Sequence, residues 1–379
     1  LRLKSNNDSA IVPLPDRPQH GGNLAWAAAL AHCSPAAILD FSASINPLGP
    51  PESALAAIQA HLGDLTAYPD PQYSALRSVL GAFHQIPPEY ILPGNGAAEL
   101  LTWAGRDLAA LDVTCLFTPA FSDYQRALKA FNAHVLARPL APQDDRHWNF
   151  EQALPLDAGN QRLSGQSIGL LLNNPHNPTG SLLTKPCLQP HLHDYALVVV
   201  DEAFMDFLPP DQQQSVIDLV LEQPNLVVLR SLTKFYSLPG LRLGYAIAHP
   251  DRLRRWQEWR DPWSVNALAA AAGAVMVQDT AFQQQTWEWL ATAKPQLFQG
   301  LADLPGLQPS PGAANFLLVK SDRSVVQLQT ALLTRHQILI RDCLSFPSLG
   351  DRYFRVAIRT EAENQRLLNG LSEILSNGE

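Results

Sequence analysis

Short runs dominated by apolar and β-branched residues punctuate the chain: VTCLF at 113–117, IGLLL at 168–172, LVVV at 197–200, LVVL at 226–229 and LRLGYAIA at 241–248. Strands buried on both faces read this way, whereas half-exposed strands alternate polar with apolar. The stretches between the runs are long enough for crossover helices, so the pattern predicts parallel strands in a doubly wound α/β domain. In that architecture the active groups sit on loops at the carboxyl ends of the strands. After position 264 the pattern changes. VNALAAAAGAVMVQD at 265–279 predicts a long helix. FLLVK at 316–320, ILIRD at 338–342 and YFRVAIR at 353–359 predict strands, and a helix from Glu361 to about Leu375 closes a smaller α+β domain. The segment before His20 is polar and proline-bearing and reads as an arm. The expected organisation is 1–45 as arm and part of the small domain, 46–264 as a large mostly parallel domain, and 265–379 as the small C-terminal domain.

Composition narrows the function. Of 379 residues 46% are hydrophobic and 16% charged, with no apolar run near the ~20 residues of a membrane helix. The net charge of −8, with scattered lysines and arginines, argues against nucleic acid or an anionic membrane surface as partner and leaves small molecules. Cys33, Cys115, Cys187 and Cys343 have no metal-ligand spacing and read as reduced thiols, and HLH at 191–193 lacks a third ligand, so no metal is expected. The first residues show no secretory leader, and a cytoplasmic protein is the expectation.

The candidate chemistry starts from a scarcity, since the chain has only six lysines. Lys234, in SLTKFYSLPGLRLG, follows a predicted buried strand. Desolvation there lowers an amine's pKa and makes it nucleophilic toward an aldehyde. Asp201 ends the LVVV run, where a carboxylate is costly to bury without a cation. A pyridinium nitrogen is such a cation, and holding it protonated makes the ring of pyridoxal 5′-phosphate (PLP) an electron sink. Glu202 reads as structural. NNPHNPTG at 173–180 places Asn177 to donate to the ring 3′-oxygen. GNGAAEL at 94–100 puts Gly96 before a helix whose first free N–H groups, near Ala97 and Ala98, face an incoming phosphate. Ser231 and Arg242, on either side of Lys234, add a hydroxyl and a guanidinium. Phe121, in TPAFSDY, is placed to lie against the ring face.

These motifs, in this order and spacing, resemble the fold-type I PLP enzymes of the aspartate-aminotransferase-like class from about His20 to Arg359. The resemblance implies a homodimer in which Tyr68, in AYPDPQY, reaches the cofactor phosphate of the neighbouring subunit, and it implies that Arg355 holds the substrate carboxylate. Two branches fit best, histidinol-phosphate aminotransferase and L-threonine-O-3-phosphate decarboxylase. HGGN at 20–23, ILDFSASINPLGPP at 38–51, DEAF with Phe204, and the arginines of RDC and FRVAIRT resemble the decarboxylase branch. On that branch the substrate contacts are His20, Gly21, Ser44, Asn177, Arg341 and Arg355, the substrate is a small phosphorylated amino acid, and the product belongs to cobalamin side-chain assembly. Ser44 departs from the branch, which usually carries asparagine there. The same catalytic residues support decarboxylation and transamination, so the branch signature decides between them. A regulatory protein that keeps the PLP fold is a third reading, but nothing before His20 is long enough to be a DNA-binding module.

Overall fold

The computed structural model describes residues 17–140, 148, 150, 153–154 and 167–376. In chain order the strands are β1 (Leu39–Asp40), β2 (Ile91–Asn95), β3 (Val113–Thr118), β4 (Val135–Pro139), β5 (Ile168–Asn173), β6 (Leu197–Asp201), β7 (Leu226–Ser231), β8 (Leu243–Ala248), β9 (Leu307–Pro309), β10 (Phe316–Ser321), β11 (Ile338–Leu339), β12 (Arg341–Asp342) and β13 (Tyr353–Ala357). The α-helices are α1 (Leu24–Ala31), α2 (Glu52–Ala60), α3 (Ser74–His84), α4 (Ala97–Ala109), α5 (Ser122–Lys129), α6 (Lys185–Leu188), α7 (Pro250–Trp259), α8 (Ala267–Met276), α9 (Thr280–Ala302), α10 (Val325–His336) and α11 (Glu361–Ser376).

The apolar runs form the centre of a seven-stranded sheet in the order β2-β8-β7-β6-β5-β3-β4. Strands β3 to β7 are mutually parallel. Strand β8 is antiparallel to both its neighbours, β2 and β7, so the run at 241–248 departs from the parallel expectation. Only residues 232–242 join β7 to β8, and their single short 3-10 turn cannot carry the chain back for a parallel crossover. Strands β2 and β4 were not expected from apolar runs. The first contains Pro93 and Gly94, and the second is an edge strand with exposed positions.

Period-two alternation sends the sheet side chains into two cores. Leu116, Leu171, Val199, Val227 and Leu229 pack with α4, α5 and α7, while Cys115, Leu170, Val198, Val200 and Val228 face the opposite layer. The helix expected over 265–279 ends at Met276, and α9 starts anew after Asp279, whose side chain accepts from the Phe282 amide. The run at 338–342 splits between two sheets, Ile338–Leu339 pairing with β1 and Arg341–Asp342 with β13. Trp26, Ala27 and Ile38 pack on Leu333 and Leu339, and the Ala357 amide donates to the Phe41 carbonyl, so residues 24–41 join the C-terminal elements. Among the described residues no helix is long and apolar enough to cross a membrane.

Candidate active site

The carboxyl ends of β5 and β6, the start of α5 and the turn after β7 open onto one cavity of about 250 Å³. His20, Gly21, Ser44, Phe121, Asn177, Asp201, Lys234, Arg341 and Arg355 all line it, although they lie as far apart in the chain as residues 20 and 355. This convergence follows from the parallel order of the strands, which delivers each strand-end loop to the same edge of the sheet.

Lys234 is half-buried at the floor of this space, with its Nζ 4.9 Å from the centroid of the Phe204 ring. Burial pushes its pKa below the ordinary lysine value, while the attraction of Asp201 works the other way. Asp201 is held at both oxygens: the Tyr124 hydroxyl donates to Oδ2 at 2.8 Å and the Ala203 amide to Oδ1 at 3.0 Å. Burial raises its pKa, and Lys234, Tyr124 and Ala203 oppose that rise. Glu202, by contrast, turns away to a fully buried pairing with Arg230 and accepts from the Val216 amide, a structural role.

Gly96, Ala97, Ala98, Ser231 and Arg242 do not line the cavity. They gather beside it around Gly244, which is the register partner of Gly94 in β2 and of Ser231 in β7. A Cβ on Gly244 would stand 2.5 Å from the Ala97 nitrogen, and one on Gly96, whose φ is +75°, would stand 2.3 Å from the Arg242 guanidinium. The absence of side chains at these two positions leaves the first amides of α4 and the Arg242 guanidinium open to one another, a cradle for a phosphate. Tyr68 lies apart from the cavity, 78% exposed and stacked on Trp263 with centroids 4.3 Å apart.

At the other end of the cavity His20 is tilted against Phe121 and stands 3.4 Å from the Ser122 hydroxyl. Burial and the charge of Arg341 hold its pKa below the ordinary histidine value. Gly21 presses on the Ser42 carbonyl, where a Cβ would come within 2.2 Å, and the Gly22 amide donates to Ser42 Oγ. The same loop docks on the lysine segment, since the Asn46 amide donates to the Lys234 carbonyl. Ser44 Oγ is buried in the wall without a hydrogen-bond partner. Arg341 donates to the carbonyls of Pro18 and Gln19 and, at 2.7 Å, to Ser345 Oγ. Arg355 donates to Asn177 Oδ1, which leaves the Asn177 amide nitrogen for another acceptor. Burial pushes the Arg355 pKa down to about 10.

The donor set therefore fits a cofactor with a flat heteroaromatic ring, an aldehyde and a phosphate. The buried amine, the oriented carboxylate, the aromatic wall and the glycine-lined cradle each answer one part of it. Tyr124, Ser122, Phe346 and Gly244 were missed by the sequence reading. Tyr124 was reachable, because it follows Phe121 by three residues and so shares its side of α5, and a glycine inside a strand pattern was itself a signal of close approach.

The chain matches the aminotransferase class I and II family over residues 36–371 and belongs to that family. It is 42% identical to threonine-phosphate decarboxylase from Salmonella typhimurium over 366 residues, 94% of this chain and 96% of the relative. It is 29% identical to the adenosylcobalamin biosynthesis bifunctional protein CobDQ of Leptospira interrogans, covering 94% of this chain but 41% of that longer protein. Among solved structures, histidinol-phosphate aminotransferase from Clostridium acetobutylicum superposes with a TM-score of 0.81 at 26% identity, covering 90% of this chain and all of that one.

Proposed function

We propose that this protein is a PLP-dependent lyase that removes the carboxyl group of L-threonine O-3-phosphate as CO2. The product is (R)-1-amino-2-propanol O-2-phosphate, for cobalamin side-chain assembly. One observation carries the choice of substrate. Arg341 and Arg355 are register partners on β12 and β13, both are buried, and among the described residues neither has a carboxylate within ion-pair distance. Like charges directly opposite on a sheet oppose its pairing, and buried cations call for anions. A phosphorylated amino acid brings two anions to this pair of guanidiniums, whereas histidinol phosphate brings one. The 42% identity to a threonine-phosphate decarboxylase supports the same choice.

PLP would be held by Lys234 as covalent anchor, Asp201 toward the ring nitrogen, Phe121 against the ring, Asn177 toward the 3′-oxygen, and Gly96, Ala97, Ala98, Ser231 and Arg242 around the phosphate. Bound there, it supplies a sink for the electron pair left when a bond to the substrate Cα breaks. The chain's own residues decide which bond that is. Arg341, His20 and the Gly21 amide grip the substrate phosphate and Arg355 its carboxylate, which fixes the orientation of Cα between them. Ser44 Oγ, unpartnered in the wall, supplies a further hydrogen bond to the substrate. Lys234, once it has taken a proton from the substrate's ammonium group, would deliver that proton to Cα where the carboxylate leaves.

The reading includes a homodimer. Leu62, Leu65 and Tyr68 are each more than half exposed and Trp263 is 43% exposed, an apolar surface that a second copy would cover while presenting Tyr68 to its cofactor phosphate. Among the described residues Cys33, Cys115, Cys187 and Cys343 form no disulfide, which suits a reducing, cytoplasmic setting.

The test is to supply PLP-loaded protein with L-threonine O-3-phosphate and no 2-oxo acid, following CO2 and the phosphorylated amine by mass spectrometry. Catalytic CO2 release supports the lyase. Glutamate formed from 2-oxoglutarate and histidinol phosphate, with no CO2, replaces it by the aminotransferase.

A further inference from the structure

We infer that Tyr124 is a positioning residue for Asp201, holding that carboxylate toward the cofactor ring and away from Lys234. The inference rests on the PLP reading and deepens it.

Asp201 and Lys234 line the same cavity and attract each other, yet among the described residues no ion pair within 4.0 Å joins them. In a water-poor site the attraction between opposite charges is strong, so something must hold the carboxylate back. The Tyr124 hydroxyl occupies Asp201 Oδ2 at 2.8 Å, while the Ala203 amide two residues along the chain occupies Oδ1. The second of these is local and travels with the strand end. The first comes from a different element, α5, and fixes the carboxylate plane relative to the rest of the cavity. Tyr124 is 1% exposed, its ring meets that of Phe121 edge to face at 5.6 Å and 88°, and its amide donates to the Phe121 carbonyl. Burial and the neighbouring Asp201 charge keep the phenol protonated and therefore a donor. The start of α5 thus carries Phe121 for the ring face and Tyr124 for the partner of the ring nitrogen, so the two supports move as one body. Freed of Tyr124, Asp201 would turn toward Lys234 and hold it as an ammonium, which opposes both ring binding and attack of the amine on an aldehyde.

The test uses the full chain stripped of cofactor, as wild type, Tyr124→Phe, Asp201→Ala and the double variant. Tyr124→Phe keeps the ring packing and removes the donor alone. PLP affinity is read from quenching of tryptophan fluorescence, and covalent attachment from the growth of visible absorbance in stopped flow. The expected result is PLP affinity about tenfold weaker in Tyr124→Phe, equivalent to ~1.4 kcal/mol, with slower attachment and an unchanged melting midpoint of the stripped protein. In the Asp201→Ala background the same substitution should add nothing. Unchanged affinity and attachment in Tyr124→Phe, or an equal loss in both backgrounds, would overturn the inference while leaving the PLP reading intact. Wild-type protein that takes up no PLP would overturn both.

Discussion

Replacing Arg355 by glutamine separates the two anions that the cavity is proposed to bind. Arg355 is buried in the cavity wall, its guanidinium donates to Asn177 Oδ1, and its register partner is Arg341. Truncating one partner of a buried, hydrogen-bonded charge pair costs about 2–5 kcal/mol. A loss of about 3 kcal/mol corresponds to roughly 150-fold in kcat/KM at ~1.4 kcal/mol per factor of ten. The loss must be selective. The decarboxylation product keeps the phosphate and lacks the carboxylate, so its inhibition constant should stay within about threefold of wild type in Arg355→Gln, by the usual size of indirect effects. Arg341→Gln should weaken substrate and product alike. The cofactor-free protein should not suffer, because glutamine can still donate to Asn177 Oδ1 and one of two adjacent buried cations is gone. Steady-state decarboxylation, product inhibition and thermal melting of the three proteins decide the matter. Product affinity that falls as far as kcat/KM in Arg355→Gln would refute the division of labour between the arginines.

Other consequences are open to direct measurement. Lys234→Ala should abolish the visible absorbance of the purified protein and leave its far-ultraviolet circular dichroism intact; a retained visible band would remove Lys234 as anchor. Gly244→Ala brings a methyl group to 2.5 Å from the Ala97 amide nitrogen, so PLP affinity should fall at least tenfold, about 1.4 kcal/mol, in equilibrium titration. His176 is buried and His84 half-buried, and desolvation lowers both pKa values to about 3, so the unfolded chain takes up protons first as pH drops below 6.5. Their contribution is therefore complete above pH 6.5 and declines as pH falls toward 3, by about 2 kcal/mol per site at pH 5. A urea midpoint that does not move between pH 6.5 and 5, or that moves equally in the His84→Asn, His176→Asn double variant, contradicts this. Tyr68→Ala should weaken PLP binding in sedimenting dimers, and a wild-type protein that sediments as a monomer would remove its proposed role.

Much of the fold was legible because the strands that matter are buried on both faces. LVVV and IGLLL have no other stable reading as short runs between helices, and their carboxyl ends announce where Asp201 and the NNPHNPTG turn must open. Strand β8 shows the limit. Its composition is that of a buried strand, but direction is set by the connection before it, and the mixed apolar and polar residues of 232–242 do not announce that they hold a short 3-10 turn in place of a crossover helix. The site was legible where a residue type is rare or expensive, as with Lys234 and Asp201. It was harder to read where an ordinary residue acts through another, as with Tyr124, whose only signal was its spacing from Phe121, or where function depends on a side chain being absent, as at Gly244, marked only by a glycine within a strand run. The pairing of Arg341 with Arg355 was equally hidden, since register is a property of two segments together and neither segment carries it alone.

The hydrogen bonds from Arg341 to Pro18 and Gln19 have a bearing on how the protein is made. They span as many as 323 positions, and β1 pairs with β11 at Ile338–Leu339. At about 5–20 residues per second a ribosome takes roughly 16–65 s to cover that interval. Throughout that time the segment bearing His20 has no Arg341 to rest on, and before the interval ends the turn bearing Lys234 is already complete. The cofactor half of the cavity is thus synthesised well before the half that would choose the substrate, and the earliest residues of the site are the last to settle.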